Sequence, residues 1–233
     1  KEKTMAALRN GIRTVLIPAD NVKDLEEIDQ TVRSALHFVP VEEEETVQPD
    51  TPWTNPYADV SESAWYYDAV RYVTENGLMN GTSATTFDPE TTTSRAMLVT
   101  ILWRLQGEPY VSGSSFSDVK SSAYYYDAVR WAARYGIVEG YEGNVFKPDD
   151  AITREQFAAI LWRYAQSKGY DVSASADLTG FLGYGQISEY ALPALQWAVG
   201  AGVMSGRGDG ILAPQGTATR AQAAAMLMRF VEA

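Results

Sequence analysis

Three arginines recur at one position of this sequence, where a cation is unexpected. Arg95, Arg154 and Arg220 each directly follow a Ser or Thr of the kind that caps the start of a helix. A helix N-terminus already carries about half a positive charge, so a cation there is locally unfavourable. One interpretation is a solvated arginine, or one paired with a nearby carboxylate such as Asp149 or Asp150. The interpretation we favour is that each guanidinium, together with free helix N–H groups, binds an anion such as a carboxylate.

The residues that other kinds of site require are scarce. The chain has no cysteine and one histidine, so disulfides, thiolate zinc sites and a cysteine nucleophile are excluded, and a Ser-His-Asp triad is disfavoured. That histidine, His37, lies in a short apolar run and is expected to be a partly buried strand residue. The GRGDG stretch around Asp209 is too short for a calcium-binding loop and is predicted to form a sharp turn. We therefore expect neither a metal ion nor a cofactor.

Length and charge narrow the possible partners. The 233 residues are 45% hydrophobic, which is ample for a packed core, and the net charge is −11. Nucleic acid and anionic membrane surfaces both favour clustered Lys and Arg, so neither is expected as the main partner. No apolar run reaches the roughly 18 residues that a membrane-spanning helix needs. Because the sequence begins at Lys1 without an initiator Met or a signal peptide, we expect a fragment or a processed piece.

An internal repeat positions the three arginines. Residues 57–108 align without a gap with residues 116–167 at a spacing of 59, and a third copy follows at a spacing of 66. A first segment is predicted at residues 1–41 and is followed by an acidic and then Pro-rich linker at residues 42–56. The three repeats are predicted at residues 57–110, 111–170 and 171–233.

Each repeat is predicted to be a helix, a turn-rich loop and a second helix. In repeat one, Ala69, Val70 and Val73 form the apolar face of the first helix, and a glycine follows where a left-handed C-terminal cap is expected. The loop ends in an apolar residue, one further residue and a proline. The apolar residues, which are expected to enter the core, are Phe87, Phe146 and Leu212.

The second helix begins with a capping box. Thr153 and Gln156 fit the pattern in which two side chains satisfy free backbone N–H groups at a helix start, as do the aligned residues of repeat three. In repeat one, Ser94 caps the helix but Met97 replaces the acceptor, so that box is predicted to be half built. Apolar residues at i, i+3, i+4 and i+7 then predict one core-facing stripe on each second helix.

One such hairpin cannot bury its apolar face alone, so the three should pack on one another. We predict a mainly α fold in which three helix-loop-helix repeats form a closed, pseudo-threefold cluster with grooves between neighbours. Residues 1–41 add a small α/β piece, with a helix ending at Gly11, a strand TVLIP, a short helix NVKDLEEI and a stretch VRSALHFVPV that turns from helix into strand.

The repeats resemble S-layer homology (SLH) domains. The matching features are the F-x-D-V opening, the W/Y-rich start of the first helix, the F-x-P loop and the T-R-A-E-like start of the second helix. The resemblance covers about residues 52–233. It implies a three-pronged pseudo-trimer that holds bacterial surface proteins noncovalently on secondary cell-wall polysaccharide, often pyruvylated. It also implies a location at the cell surface, and the carboxylate of a pyruvyl ketal is the kind of anion that the arginines require.

By motif match, the resemblance also implies which residues contact the polysaccharide. They are the arginines Arg95, Arg154 and Arg220, the loop glycines Gly81, Gly140 and Gly206, and the aromatic residues Trp131 and Trp197, on which sugar rings can stack. A weaker alternative is that the repeats mediate protein–protein packing, which a flat, apolar exposed face would favour.

Two departures from the family pattern matter. Repeat one has SRAM in place of TRAE, so its helix start is expected to be less well organised. Repeat three has Gly183, with one residue inserted, where Asp59 and Asp118 stand in the other two. The site around Arg154 is therefore expected to work best, and three working grooves are not assumed.

Residues 1–47 share nothing with the repeats and resemble the C-terminal end of the proteolytic domain of Lon, the ATP-dependent serine protease. The matching residues are KEK..AA...GI.TVLIP..N.KDLEEI. That family uses a Ser-Lys dyad, and its lysine corresponds by position to Lys3. The family's serine would lie upstream of Lys1, so we expect Lys3 to be inert and this chain not to be an enzyme by itself. The alternative is the C-terminal part of a Lon-like peptidase with an SLH tail, which implies the cytoplasm.

Overall fold

The computed structural model describes residues 14–18, 37–41, 53–113 and 115–232. The chain divides into two compact units, Lys1–Trp53 and Thr54–Ala233. Of the helices among the described residues, none is long and apolar enough to cross a membrane.

The described part of the first unit is a pair of parallel strands. Strand β1, Thr14–Pro18, pairs with β2, His37–Val41, so that Val15 lies opposite Phe38. Both predicted strands are confirmed, and β-branched and aromatic residues favour this conformation. The predicted helices of this segment, the burial of His37, Lys3 and most of the linker lie outside the described residues.

The second unit contains two helices from each repeat. In chain order the six helices of this unit are α1 (Tyr67–Glu75), α2 (Arg95–Leu105), α3 (Tyr126–Arg134), α4 (Arg154–Lys168), α5 (Leu192–Gly200) and α6 (Arg220–Glu232). Repeat three has in addition two short 3-10 turns before α5, Tyr184–Gln186 and Glu189–Ala191. The mainly α fold that the repeats predict is confirmed.

Helices pack between repeats in a closed ring. The second helix of each repeat packs on the first helix of the next: α2 on α3, α4 on α5, and α6 back on α1. The loop residues Phe87, Phe146 and Leu212 are fully buried in the core, as expected. The ring therefore closes the pseudo-threefold cluster, and no repeat has both of its helices packed only within itself.

A ring of backbone hydrogen bonds joins the segments that lead into the second helices. The N–H of Thr93 donates to the carbonyl of Ala218 (2.9 Å), that of Ala218 to Ile152 (3.0 Å), and that of Ile152 to Thr93 (2.9 Å). All three residues are fully buried. Because buried backbone polar groups require partners, this triangle lets three loops meet inside the protein.

The helix ends follow the predicted caps, with one correction. Thr153 and Gln156 form the expected box at the start of α4. The box of α2 is not half built, because the Ser94 N–H donates to the Met97 sulfur at 3.5 Å and the Ser94 hydroxyl accepts from the Met97 N–H. A thioether is a weak acceptor, but it reaches the position that Gln fills elsewhere. The left-handed glycines after the first helices are Gly77, Gly136 and Gly202.

Repeat three holds its loop in a different way from the other two. In repeat two, both carboxylate oxygens of Asp118 accept backbone N–H groups, from Phe146 at 2.8 Å and Lys147 at 2.7 Å. Asp59 does the same in repeat one. In repeat three the Leu212 N–H donates instead to the backbone carbonyl of Leu182 (3.0 Å). A backbone bridge thus replaces the missing carboxylate.

Candidate functional site

The three recurring arginines are buried. Arg95, Arg154 and Arg220 are only 5%, 4% and 6% exposed, so they are not solvated surface residues. Within the described part of the chain, none of them forms an ion pair with a carboxylate, and Asp149 and Asp150 are not their partners. The interpretation that each is a solvated arginine, or one paired with a nearby carboxylate, is therefore wrong.

Each guanidinium binds backbone carbonyls of the following repeat. Arg95 Nε donates to the Phe146 carbonyl at 3.0 Å and its Nη2 to that of Glu139 at 3.3 Å. The same two bonds join Arg154 to Leu212 and Ser205, and Arg220 to Phe87 and Asn80. Repeat one therefore holds repeat two, repeat two holds repeat three, and repeat three holds repeat one.

The helix N–H groups beside these arginines are also taken. The N–H of Arg95 donates to the Asp150 carbonyl and that of Ala96 to the Pro148 carbonyl, both at 3.0 Å. The corresponding groups of α4 and α6 bind carbonyls of repeats three and one in the same way. The expectation that free helix N–H groups join the guanidinium at an anion site is therefore wrong. The loop carbonyls place the negative ends of their dipoles beside each guanidinium, and this explains why a cation is tolerated at the helix start.

Burial lowers the pKa of all three arginines because it disfavours the charged form. For Arg154 the pKa falls to about 10, first through burial and then through the nearby charge of Arg207. The Arg154 guanidinium thus remains charged at neutral pH. Nη1, the third nitrogen, has no hydrogen-bond partner among the described residues in any of the three.

Each arginine lines a groove that all three repeats build. Groove three, a cavity of about 320 Å³, takes Arg154 from repeat two, Gly206 and Arg229 from repeat three, and Trp65 from repeat one. We name each groove after the repeat that supplies its loop glycine and second helix.

The other two grooves follow the same rule. Groove two, about 430 Å³, combines Arg95, Gly140, Arg163 and Tyr190. Groove one, about 220 Å³, combines Arg220, Gly81, Arg104 and Tyr124. In both grooves, the buried arginine comes from the preceding repeat and the exposed aromatic residue comes from the following one.

The loop positions that line the grooves are occupied by glycine because a side chain does not fit there. A Cβ on Gly81 would lie 2.6 Å from the ring of Tyr57, and a Cβ on Gly206 would lie 2.9 Å from the carbonyl oxygen of Ile211. At Gly140 a Cβ would overlap the ring of Phe116. The aromatic residue that opens each repeat thus packs against the loop glycine and leaves no room for a side chain there.

The two tryptophans that motif matching selected do not line these grooves. Trp131 is 2% exposed and packs against Tyr164 inside the core. Trp197 is also buried; it borders a separate cavity of about 660 Å³ with Tyr170 and Phe230. Both lie on the inner face of the first helix of their repeat, next to the core, and this explains why they do not line the grooves.

Two further repeated positions do line the grooves, and the motif comparison missed both. Trp65, Tyr124 and Tyr190 are half or more exposed and occupy one aligned position at the start of the first helix. Arg104, Arg163 and Arg229 occupy another, near the end of the second helix. Both sets obey the spacings of 59 and 66, so a search for every chemically similar repeated position would have found them.

The grooves offer hydrogen-bond donors and aromatic rings rather than metal ligands. Within residues 53–113 and 115–232, no group of three His, Asp or Glu side chains lies close enough to hold a metal ion. Each groove instead combines at least two arginines with an aromatic side chain. Such an arrangement suits an anionic group attached to a body with an apolar face.

Two sequence families match different parts of this chain. The S-layer homology domain matches residues 56–96, 115–158 and 185–224, which together make up more than half of the chain. The Lon protease (S16) C-terminal proteolytic domain matches residues 1–50.

Curated relatives divide in the same way. The chain is 32% identical over 171 residues to an amylopullulanase of Thermoanaerobacterium thermosulfurigenes, covering 72% of this chain and 9% of that protein. It is 30% identical over 173 residues to the surface-layer 125 kDa protein of Lysinibacillus sphaericus, covering 73% and 14%. Over 41 residues it is 56% identical to the Lon protease of Rickettsia bellii, covering 18% and 5%. The chain thus spans a small part of each of these proteins.

Proposed function

The chain belongs to the S-layer homology domain family, and on that premise we propose that residues 54–232 attach their protein noncovalently to the cell surface by binding an anionic cell-wall polysaccharide in the three grooves. The likeness to the surface-layer 125 kDa protein supports this location. Grooves lined by arginine are also unlike the flat, apolar face that protein–protein packing would favour.

The observation that carries this proposal is the pairing of arginines in every groove. The buried arginine lines the groove with Nη1 left without a partner among the described residues, and the half-buried arginine of the second helix adds a second guanidinium. Two guanidiniums can hold a carboxylate through charge-assisted hydrogen bonds. The exposed aromatic residue gives the sugar ring an apolar surface to pack on.

Binding to purified cell walls tests the proposal. Substituting Gln for Arg104, Arg163 and Arg229 together removes one guanidinium from each groove and leaves the bonds between repeats in place. We expect most wall binding to be lost in a sedimentation assay, with unchanged circular dichroism. Arg71→Gln is the control, because Arg71 pairs with Glu75 on the surface of α1. Wall binding equal to that of the unsubstituted protein would contradict the proposal.

The finer proposal is that the anion is a pyruvyl ketal. Its carboxylate is the group that a pair of guanidiniums fits, and mild acid removes the ketal while the glycosidic backbone is retained. We expect acid-treated wall polysaccharide to lose binding and mock-treated polysaccharide to keep it. Equal binding of the two preparations would show that another anionic group is recognised.

A second candidate function rests on the first segment alone. Its 56% identity to a Lon protease over 41 residues favours a role as the end of a peptidase domain, with Lys3 as the general base of a Ser-Lys dyad. The coding sequence upstream of Lys1 tests this idea. A serine in a Gly-rich turn of a matching proteolytic domain would support it, and an upstream sequence without such a serine would rule it out.

A further inference from the structure

Groove three carries more positive charge than the other two. Three arginines, Arg154, Arg207 and Arg229, line this one cavity, and none of the described residues lining it is Asp or Glu. Neither Arg207 nor Arg229 forms an ion pair with any residue that the structure describes. The positive charges of groove three thus have no counter-charge within its walls.

The other grooves differ at the same positions. In groove two, Glu139 and Glu155 stand beside the two arginines, and Glu139 lies 3.8 Å from Arg163. The Glu155 carboxylate also accepts hydrogen bonds from Ser188 and Gln215. The two carboxylates therefore reduce the net positive charge of groove two, whereas groove one holds two arginines and no third.

The third arginine of groove three, Arg207, occupies a loop position whose residue differs among the three grooves. The residue after the loop glycine lines each groove, and it is Thr82 in groove one, Tyr141 in groove two and Arg207 in groove three. The backbone N–H at this position donates to the carbonyl four residues later in all three loops, so the third guanidinium of groove three comes from the side chain at this position. It can supply a hydroxyl, a phenol ring or a guanidinium.

Three like charges in one cavity repel one another. After burial, the nearby Arg207 is the second cause that lowers the pKa of Arg154, in agreement with repulsion between these two guanidiniums. A ligand with a single negative charge offsets only part of the repulsion among the three arginines. A ligand with two negative charges gains from the second and third guanidiniums as well.

We infer that groove three selects a polysaccharide unit that carries two negative charges, and that Arg207 is the residue that determines this selectivity. The unit bears either two carboxylates or one doubly ionised phosphate, since both present two charges to the same cluster. This inference rests on the proposed function, because it assigns a charge class to a ligand of the same groove.

Small anions of defined charge test the inference on the whole chain. Trp65 lines groove three and is 65% exposed, so its indole N–H resonance reports binding there. Acetate, malonate and methyl phosphate are titrated at about pH 7.5, where a phosphomonoester is mostly doubly ionised. We expect both doubly charged anions to bind roughly fivefold more tightly than acetate, the upper range for one added solvent-exposed charge pair.

Arg207→Gln should abolish this preference while acetate binding persists, and Arg71→Gln should leave all three affinities unchanged. Tighter binding of malonate than of methyl phosphate favours two carboxylates, and the reverse order favours phosphate. Equal affinity for acetate and malonate in the unsubstituted protein, or a preference that survives Arg207→Gln, overturns the inference. The proposed function fails separately, if walls still bind the variant that lacks Arg104, Arg163 and Arg229.

Discussion

At the residue scale, Arg95, Arg154 and Arg220 have a structural task that the sequence pattern did not reveal. Their Nε and Nη2 atoms bind carbonyls of the next repeat, so they are needed for assembly whether or not a ligand is present. The sequence indicated correctly that these cations need partners, because they oppose the helix dipole. It could not indicate which partners, since the carbonyls lie 44 or more residues away along the chain.

Thr93 provides a prediction about stability at the same scale. Its side-chain hydroxyl is buried among the three converging loops and has no hydrogen-bond partner in the part of the chain that the structure describes. Thr93→Val keeps the shape and removes the unsatisfied group, so the free energy of unfolding should rise by about 1 kcal/mol. Urea denaturation measures this change.

Thr100→Val is the matched control for that measurement. The Thr100 hydroxyl is also buried, but it donates to the Ala96 carbonyl at 2.8 Å. Its replacement should therefore not stabilise the protein. If both variants shift the midpoint equally, the missing partner of Thr93 is not the cause.

Tyr164 makes stability depend on pH in the alkaline range. Burial, followed by the neighbouring Tyr170, raises its pKa to about 12 from the ordinary value of 10.0. Because the folded pKa is raised, the stabilisation is complete below about pH 10 and is lost as the pH rises through about 12.

A comparison of Tyr164→Phe with the unsubstituted protein isolates this effect, since other groups titrate in both. The free energy of unfolding of the unsubstituted protein should fall by about 2 kcal/mol more than that of the variant over this range. Parallel curves for the two proteins would show that Tyr164 does not ionise differently on unfolding.

At the element scale, local rules predicted the helices well. Caps such as Thr153 and stripes such as Phe157, Ile160 and Leu161 agree with the observed α4, because capping and 3.6-residue periodicity act within a few residues. The grooves were harder to predict, because each combines three repeats. Trp131 was selected by its neighbourhood in the sequence, yet it faces the core, whereas the exposed Tyr124 lies on the groove.

The loop before α4 depends on one carboxylate. Asp118 accepts the N–H groups of Phe146 and Lys147, so Asp118→Ala leaves two donors without a partner. The free energy of unfolding should fall by about 2 kcal/mol, the range for hydrogen bonds to a charged group. Glu142→Ala, at an exposed site of the same loop, serves as the control. A smaller loss for Asp118→Ala than for the control would contradict this role.

At the scale of the whole molecule, closure of the ring predicts cooperative folding. Because α6 packs on α1 and α4 on α5, removal of residues 171–232 would expose the partner faces of both α4 and α1. A chain of residues 54–170 should therefore lack a sharp thermal transition, while residues 54–232 should unfold in one step by calorimetry. A truncated chain that melts sharply would show that the repeats fold independently.

The shared construction of the grooves has a consequence for valency. Every groove takes its buried arginine, its loop and its aromatic residue from three different repeats. Damage to one repeat is therefore not confined to one groove but removes a wall from each of them. For a ligand with many identical units, avidity multiplies the contributions of separate sites. In this ring the number of sites falls from three to none in a single step, so attachment would fail all at once rather than weaken by degrees.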